Sequence, residues 1–200
     1  MPENKVTYGL EKVHIAFKDT NSATLAWETP QHIDGAVRWT PEAQGESSTF
    51  YAENRAYFIA TSNNGYTGEL EFALIPDAII ARMLGWEIDK NGMLVEVTDG
   101  IPQPFAILGQ VQGDQKNRRF VYYEAQASRT AKERTTKGAS VEPSTDVLSV
   151  TVSPIEIAGK TIVKGDMELN DTNAAAYNAF FESVYTPVLT GTGVTGGAEA

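Results

Sequence analysis

Two histidines, no cysteine and a scatter of carboxylates are what this 200-residue chain offers to acid–base, nucleophilic or metal chemistry. Without a thiol there is no thiolate zinc site, iron–sulfur cluster, disulfide framework or cysteine nucleophile. His14 lies in an alternating apolar run and His32 follows Pro30 where a strand begins. Neither has a partner at a fixed spacing, so both read as structural or surface groups. No G-x-S-x-G elbow, phosphate-binding loop or dinucleotide fingerprint is present. A carboxylate-pair hydrolase needs two facing acids about 5 to 9.5 Å apart, and no spacing nominates such a pair. The expectation is a protein that is not an enzyme and uses no cofactor or metal.

Two acidic clusters come nearest to a cation site. Glu87-Ile88-Asp89-Lys90-Asn91-Gly92 imitates the first half of an EF-hand loop, but its twelfth position is Thr98, where a bidentate carboxylate is needed, and a strand-like MLVEV follows. A hairpin turn accounts for it. Asp166, Glu168 and Asp171 form the second cluster, read as a helix cap at Asp171 with two solvated neighbours. Trp27, Trp39 and Trp86 raise the alternative of a carbohydrate-binding β-sandwich with stacking platforms, against the simpler reading of core or interface aromatics.

Charge is unevenly spread. The net charge is −10, composed of −9 over residues 1–115, +5 over 116–137 and −6 over 138–200. The basic residues of the middle segment are Lys116, Arg118, Arg119, Arg129, Lys132, Arg134 and Lys137. An acidic chain is repelled by nucleic acid and by anionic membranes as a whole. The basic segment is therefore expected to touch an acidic surface on another copy of the same chain, with a solvated loop as the plainer alternative. No apolar run is long enough for a membrane helix, and the first residues lack a basic start followed by an apolar signal core.

The elements that must hold these groups are mostly strands. Alternation and β-branched or aromatic enrichment mark 12–17, 33–40, 50–60, 68–74, 93–97, 105–110, 120–127, 147–152 and 160–169. Asn91-Gly92, Gly113-Asp114 and Ala158-Gly159 punctuate them as turns. Two helices interrupt the pattern. One covers 77–84, with Asp77 as cap and Gly85 as a left-handed terminator; the other follows Asn170-Asp171-Thr172 and carries Tyr177, Phe180, Phe181 and Val184 on one stripe. The polar stretch Pro41 to Thr49 reads as a long inter-strand loop, and the Gly/Thr-rich residues 190–200 as a flexible tail. The expected fold is mainly β: one antiparallel sandwich or barrel over residues 1–189, with one or two flanking helices.

The ordered series Tyr8-Gly9-Leu10-Glu11-Lys12-Val13, Glu28-Thr29-Pro30, Ile33-Asp34-Gly35-Ala36-Val37, Phe50-Tyr51-Ala52-Glu53-Asn54 and Gly65-Tyr66-Thr67-Gly68-Glu69-Leu70 resembles the major tail proteins of long-tailed bacteriophages, in particular their phi13-type group. The resemblance runs on through Leu84-Gly85, Asp89-Lys90-Asn91-Gly92 and Pro104-Phe105-Ala106 to Phe180-Phe181-Glu182-Ser183-Val184-Tyr185-Thr186-Pro187. Glu53 departs from the Asp more usual before that Asn, with the charge kept.

The resemblance implies a virion structural protein that stacks as hexameric rings into the tail tube. Its implied partners are further copies of itself, a tape-measure protein and tail terminator or distal tail proteins. Genomic DNA passes through the tube without specific binding, and no membrane is engaged. It further implies that Glu42, Gln44, Glu46, Ser47, Ser48, Thr49 and Phe50 contact the adjacent ring, ordering on stacking. At physiological salt an acidic wall acts over about 8 Å, enough to keep sliding DNA from adhering. The basic segment is expected to face away from that channel.

Overall fold

A computed structural model describes residues 7–114, 116–131, 136 and 144–189. Fifteen strands and two short helices follow in chain order: β1 (Leu10–Phe17), β2 (Gln31–His32), β3 (Ala36–Trp39), β4 (Glu42–Gln44), β5 (Ser47–Ala52), β6 (Arg55–Thr61), β7 (Gly65–Phe72), α1 (Asp77–Leu84), β8 (Glu87–Ile88), β9 (Leu94–Val95), β10 (Phe105–Val111), β11 (Arg119–Ser128), β12 (Asp146–Val152), β13 (Ile155–Ile157), β14 (Lys160–Ile162), β15 (Lys164–Met167) and α2 (Ala174–Asn178), which runs into a single 3-10 turn over Ala179–Phe181. The antiparallel architecture and α1 are those the sequence predicts; α2 is shorter than expected, since Phe180 and Phe181 lie in the 3-10 turn and Val184 beyond it, so the four apolar residues do not share one α-helical stripe.

Nine strands form one sheet in the order β2-β1-β10-β11-β12-β7-β3, all antiparallel. Two strands branch off this path because β11 and β7 are long enough to serve two neighbours each. β11 pairs β15 through Arg119–Tyr122 and β12 through Ala125–Ser128. β7 pairs β4 through Gly65–Thr67 and β3 through Leu70–Phe72. The break between β3 and β4 falls at Thr40-Pro41, opposite Gly68. A Cβ on Gly68 would lie 2.2 Å from the Thr40 carbonyl oxygen, so only glycine lets the two backbones come this close.

The two halves of the sheet are buried differently. β10 reads FAILGQV and is buried along nearly its whole length. Such a continuous apolar run belongs to a strand covered on both faces. One face carries Ile15, Phe72, Ile107, Val150 and Met83 of α1 in the larger core. The other carries Leu108, Val121, Tyr123 and Phe180 in a second core, closed by the C-terminal helical turn and by Ile157 of the β13–β14 hairpin. The β12–β7–β3 half is apolar on its core face only: Leu148, Val150 and Val152 alternate with Ser149 and Thr151.

Local rules account for the ends of the elements, with three differences from expectation. Gly85 closes α1 in the left-handed region at φ 70°, its N–H reaching the Ala81 carbonyl, as the sequence predicts. The start differs, since Pro76 holds the N-cap position without a side-chain bond and Asp77 sits in the first turn. There its charge still favours the positive end of the helix dipole. Ahead of α2 it is Asn170, not Asp171, whose side-chain oxygen accepts from the N–H groups of Thr172 and Asn173. Pro41 to Thr49, expected as a loop, is strand at Glu42–Gln44 and again from Ser47. Its polarity reflects edge exposure rather than absence of pairing. The 190–200 tail lies outside the described residues.

Candidate assembly surfaces

The largest departure from the sequence reading is at residues 50–60, expected as one strand. The chain instead reverses at Glu53-Asn54, with φ of 50° and 63°, and β5 and β6 pair from Ser47↔Thr61 to Ala52↔Arg55. Two consecutive positive φ values define the tight hairpin turn whose twist matches paired strands. The usual glycine is missing here, and Asn54 supplies the tolerance for the left-handed region. The β5–β6 hairpin continues the β4–β7 ladder outward as an arm. The joint is tied by Asn64 N–H to the Gln44 carbonyl at 2.8 Å and Ser62 N–H to the Glu46 carbonyl at 2.9 Å.

That arm is apolar where no other described residue covers it. Phe50, Tyr51, Tyr57, Phe58 and Ile59 are each 60–68% exposed. Phe50 stands opposite Phe58 on one face, and Ile59 opposite Thr49 on the other, so both faces present apolar groups. A lone two-stranded hairpin is marginal in water, and an exposed cluster of rings on one is costly unless another surface covers it. Of the residues expected at a ring contact, Glu42 and Gln44 lie on β4 at the sheet edge and Glu46 at the joint. Ser47, Ser48, Thr49 and Phe50 lie on the arm itself.

A second surface is the outer face of the half-sheet. Registered rows place Gln126, Thr151, Thr67 and Glu42 side by side; Ser128, Ser149 and Glu69 form the next row; Val147, Glu71 and Arg38 form the third. Arg38 bridges the two glutamates, at 2.9 Å to Glu69 and 3.0 Å to Glu71. Thr145 donates to Glu71 at 2.7 Å. Three carboxylates against one guanidinium leave this hydroxyl- and amide-rich face at −2.

The four described basic residues are committed within the chain. Lys116 and Arg118 both pair with Glu168, the former at 3.1 Å, and Arg118 also lies 3.9 Å from Asp114. The Arg118 guanidinium, helped by Lys116, holds the Glu168 carboxyl below the usual carboxylate range. Arg119 donates to Gln110 Oε1 at 3.0 Å and to the Tyr177 carbonyl, and its guanidinium lies 3.8 Å from the centre of the Tyr177 ring and 4.6 Å from that of Phe181. It pins the C-terminal helical turn to the sheet. Arg129 pairs with Glu96 at the far end of β11. Lys132, Arg134 and Lys137 lie outside the described residues.

Arg129 and Glu96 flank a groove of about 560 Å³ walled by Leu84, Trp86, Val97 and Pro102 against Ala127 and Ser128. It exists because β10 begins at Phe105, opposite Ala125. Beyond that point Gln126–Ser128 have a strand neighbour only in β12. Pro102 and Pro104 precede β10 and cannot donate to a ladder.

The residues first considered for chemistry make contacts within the fold. The His14 ring stacks on Phe181 at 4.4 Å, lies 4.9 Å from His32, and donates from Nδ1 to the Lys12 carbonyl at 2.8 Å. Burial pulls its pKa below the ordinary value. Asp89 folds a turn, accepting from the N–H groups of Asn91 and Met93 at 2.8 and 2.7 Å. Asp166 pairs with Lys164 at 3.2 Å. No cluster of metal-ligating side chains forms among the described residues. The tryptophans are dispersed: Trp27 donates to the Tyr123 carbonyl at 3.2 Å, Trp39 sits edge-on to Tyr122 at 5.4 Å, and Trp86 lines the groove. They make no shared stacking platform.

No family model matches this chain, and no curated protein matches it. Solved structures do. The tube-terminating cap of an anti-feeding prophage superposes with a TM-score of 0.51 at 6% identity, covering 84% of this chain and 96% of that one. A chain of the anti-feeding prophage baseplate gives 0.43 at 9% identity, covering 84% and 98%. At 6% identity the first likeness is one of fold, and this chain has the fold of that cap subunit.

Proposed function

We propose that this chain is a structural protein of a bacteriophage tail, made in the host cytoplasm and polymerised as stacked hexameric rings into the tail tube. It is read as a major tail protein of the phi13-type group. The observation that carries this reading is the β5–β6 arm, whose rings are exposed on both faces and need another subunit to cover them. The ordered resemblance along nearly the whole chain supports it. So does a fold shared with a subunit that terminates a tube. Tape-measure and terminator or distal tail proteins are the further partners, and no catalysis is involved.

In this reading the arm and Glu42, Gln44 and Glu46 beside it carry the contact between rings. The polar outer face of β12, β7, β3 and β4 lines the channel. Six copies of a −2 face give a ring of about −12, within a Debye length of DNA passing along the wall. Serine, threonine and glutamine side chains beside those charges offer only weak, exchangeable hydrogen bonds. Lys116, Arg118 and Arg119 are held in pairs away from this face, so they do not hold the DNA phosphates. The basic contact with a neighbour falls to Arg129, with Lys132, Arg134 and Lys137. Negative-stain microscopy of the concentrated protein tests the reading: tubes or stacked rings are expected, and a persistent monomer overturns it.

A further inference from the structure

The arm needs a cover, and the described residues include a surface with chemistry suited to supply it. We infer that the groove beside the last residues of β11 receives the β5–β6 arm of a second copy of this chain. This rests on the tube reading and names the surface that the arm meets.

Three features of the groove fit the arm. One wall is apolar, with Leu84, Trp86, Val97 and Pro102, while Thr98, Gln126 and Thr151 make the lining mixed, and among the described residues nothing fills it. Its floor is the end of a strand, Gln126–Ser128, whose side away from β12 has no strand neighbour among the described residues. An incoming strand can add backbone hydrogen bonds there. Its rim carries Glu96 and Arg129, paired with each other but 44% and 71% exposed.

The arm is complementary on each count. It is a pair of extended strands with an outer edge to offer. Its four rings, about two-thirds exposed, present roughly 400–650 Å² over its two faces at ~150–250 Å² per ring. The face turned into the groove buries part of this, and the backbone of the added strand contributes further contact. The tip carries Glu53 and Arg55, 3.6 Å apart and loosely paired in open solvent. Docking exchanges two weak pairs for two crossed ones, Arg55 with Glu96 and Glu53 with Arg129. Ile101, between the groove-lining Gly100 and Pro102, is exposed beside the groove.

The consequence is geometric. Arm and groove are different surfaces of one chain, so the contact is head-to-tail. Such contacts close into rings or run on as open filaments; they do not stop at a symmetric dimer.

The absence of cysteine makes a clean test available. Full-length chain carrying both Arg55→Cys and Glu96→Cys is oxidised under tube-forming conditions and run on non-reducing gels. A ladder of covalent multimers that collapses on reduction is expected, with each single variant remaining monomeric. Dimers from a single variant indicate a symmetric contact and overturn the inference. Tubes without a ladder overturn the docking while leaving the tube reading intact; wild-type protein that forms no tubes removes the tube reading and the docking together. As a second variant, Thr98→Trp places bulk in the groove from an exposed side chain. It is expected to abolish tubes with the monomer's melting temperature unchanged, and tubes at wild-type yield overturn the inference.

Discussion

Removing the two facing rings of the arm separates assembly from folding more sharply than any other change. Phe50 and Phe58 stand opposite each other and are each 62% exposed. A phenylalanine presents about 200 Å², so covering the exposed fraction hides about 125 Å² per ring. At ~25 cal/mol per Å² this is worth about 3 kcal/mol per ring. Association never returns the full area term, because ordering and desolvation consume part of it. A combined loss of about 3–6 kcal/mol per arm contact is therefore the working figure for Phe50→Ser with Phe58→Ser. At 1.4 kcal/mol per decade, the critical concentration for assembly rises by about 10²–10⁴-fold. The monomer loses only an exposed cross-strand pair, worth about 1 kcal/mol or less, which moves Tm by about 2–4 °C at most. Sedimentation across a concentration series gives the first number and a thermal melt the second. A critical concentration within threefold of wild type would refute the reasoning. A fall in Tm of 8 °C or more, on the order of 2–4 kcal/mol by the same scaling, would show that the rings are packed within the monomer.

Three further outcomes follow from the same geometry. Arg119→Ala removes two hydrogen bonds and two ring contacts and is expected to cost about 2–4 kcal/mol in a denaturant melt, whereas Arg118→Ala, with its exposed pairs, costs under about 1 kcal/mol. Equal effects would show that Arg119 does not hold the C-terminal turn. Met83→Ala, at a fully buried site on α1, is expected to destabilise by about 2–5 kcal/mol and to lower Tm without altering the assembly of protein that remains folded. The His14 pKa is depressed by burial, so its contribution to stability is present in full above the unfolded value of about 6.5 and is lost as pH falls through the lower folded value. Melts between pH 7.5 and 5 are expected to show declining Tm, flatter in His14→Gln; identical slopes refute the assignment.

The parts of the fold legible in the sequence are those fixed by neighbours in the chain. The run Phe105–Gln110 announces a strand, whose burial on both faces only the structure shows, and Gly85 marks the end of α1 to the residue. Ala158-Gly159, with φ of 52° and 75°, turns the β13–β14 hairpin as its dipeptide predicts. The arm was not legible, for two physical reasons. Its turn is made by Glu53-Asn54, a pair without glycine and therefore without the usual signal. Its apolar alternation is the same signal a core strand gives, because pattern records that a residue will be covered and not by which copy of the chain.

Long-range pairing explains the other difference. Lys116, Arg118 and Arg119 look like a free basic cluster in sequence, but Glu168 lies 50 residues beyond Arg118 and Tyr177 lies 58 beyond Arg119. Only the β11–β15 ladder, which sets Arg119 opposite Met167, brings these partners together. The groove has the same origin. It follows from β11 outrunning β10 by three residues, a mismatch between strands that no local pattern encodes.

The central claim is that this chain builds a tube whose channel is walled by the polar face of the β12–β7–β3 half-sheet. A cryo-EM reconstruction of tubes assembled from the purified chain measures it directly. The account predicts six-fold rings with Glu42, Thr67 and Glu69 facing the channel and the β5–β6 arms engaged with neighbouring subunits. Tubes whose channel is lined instead by Lys116, Arg118 and the α2 surface, or protein that stays monomeric at every concentration, would contradict it.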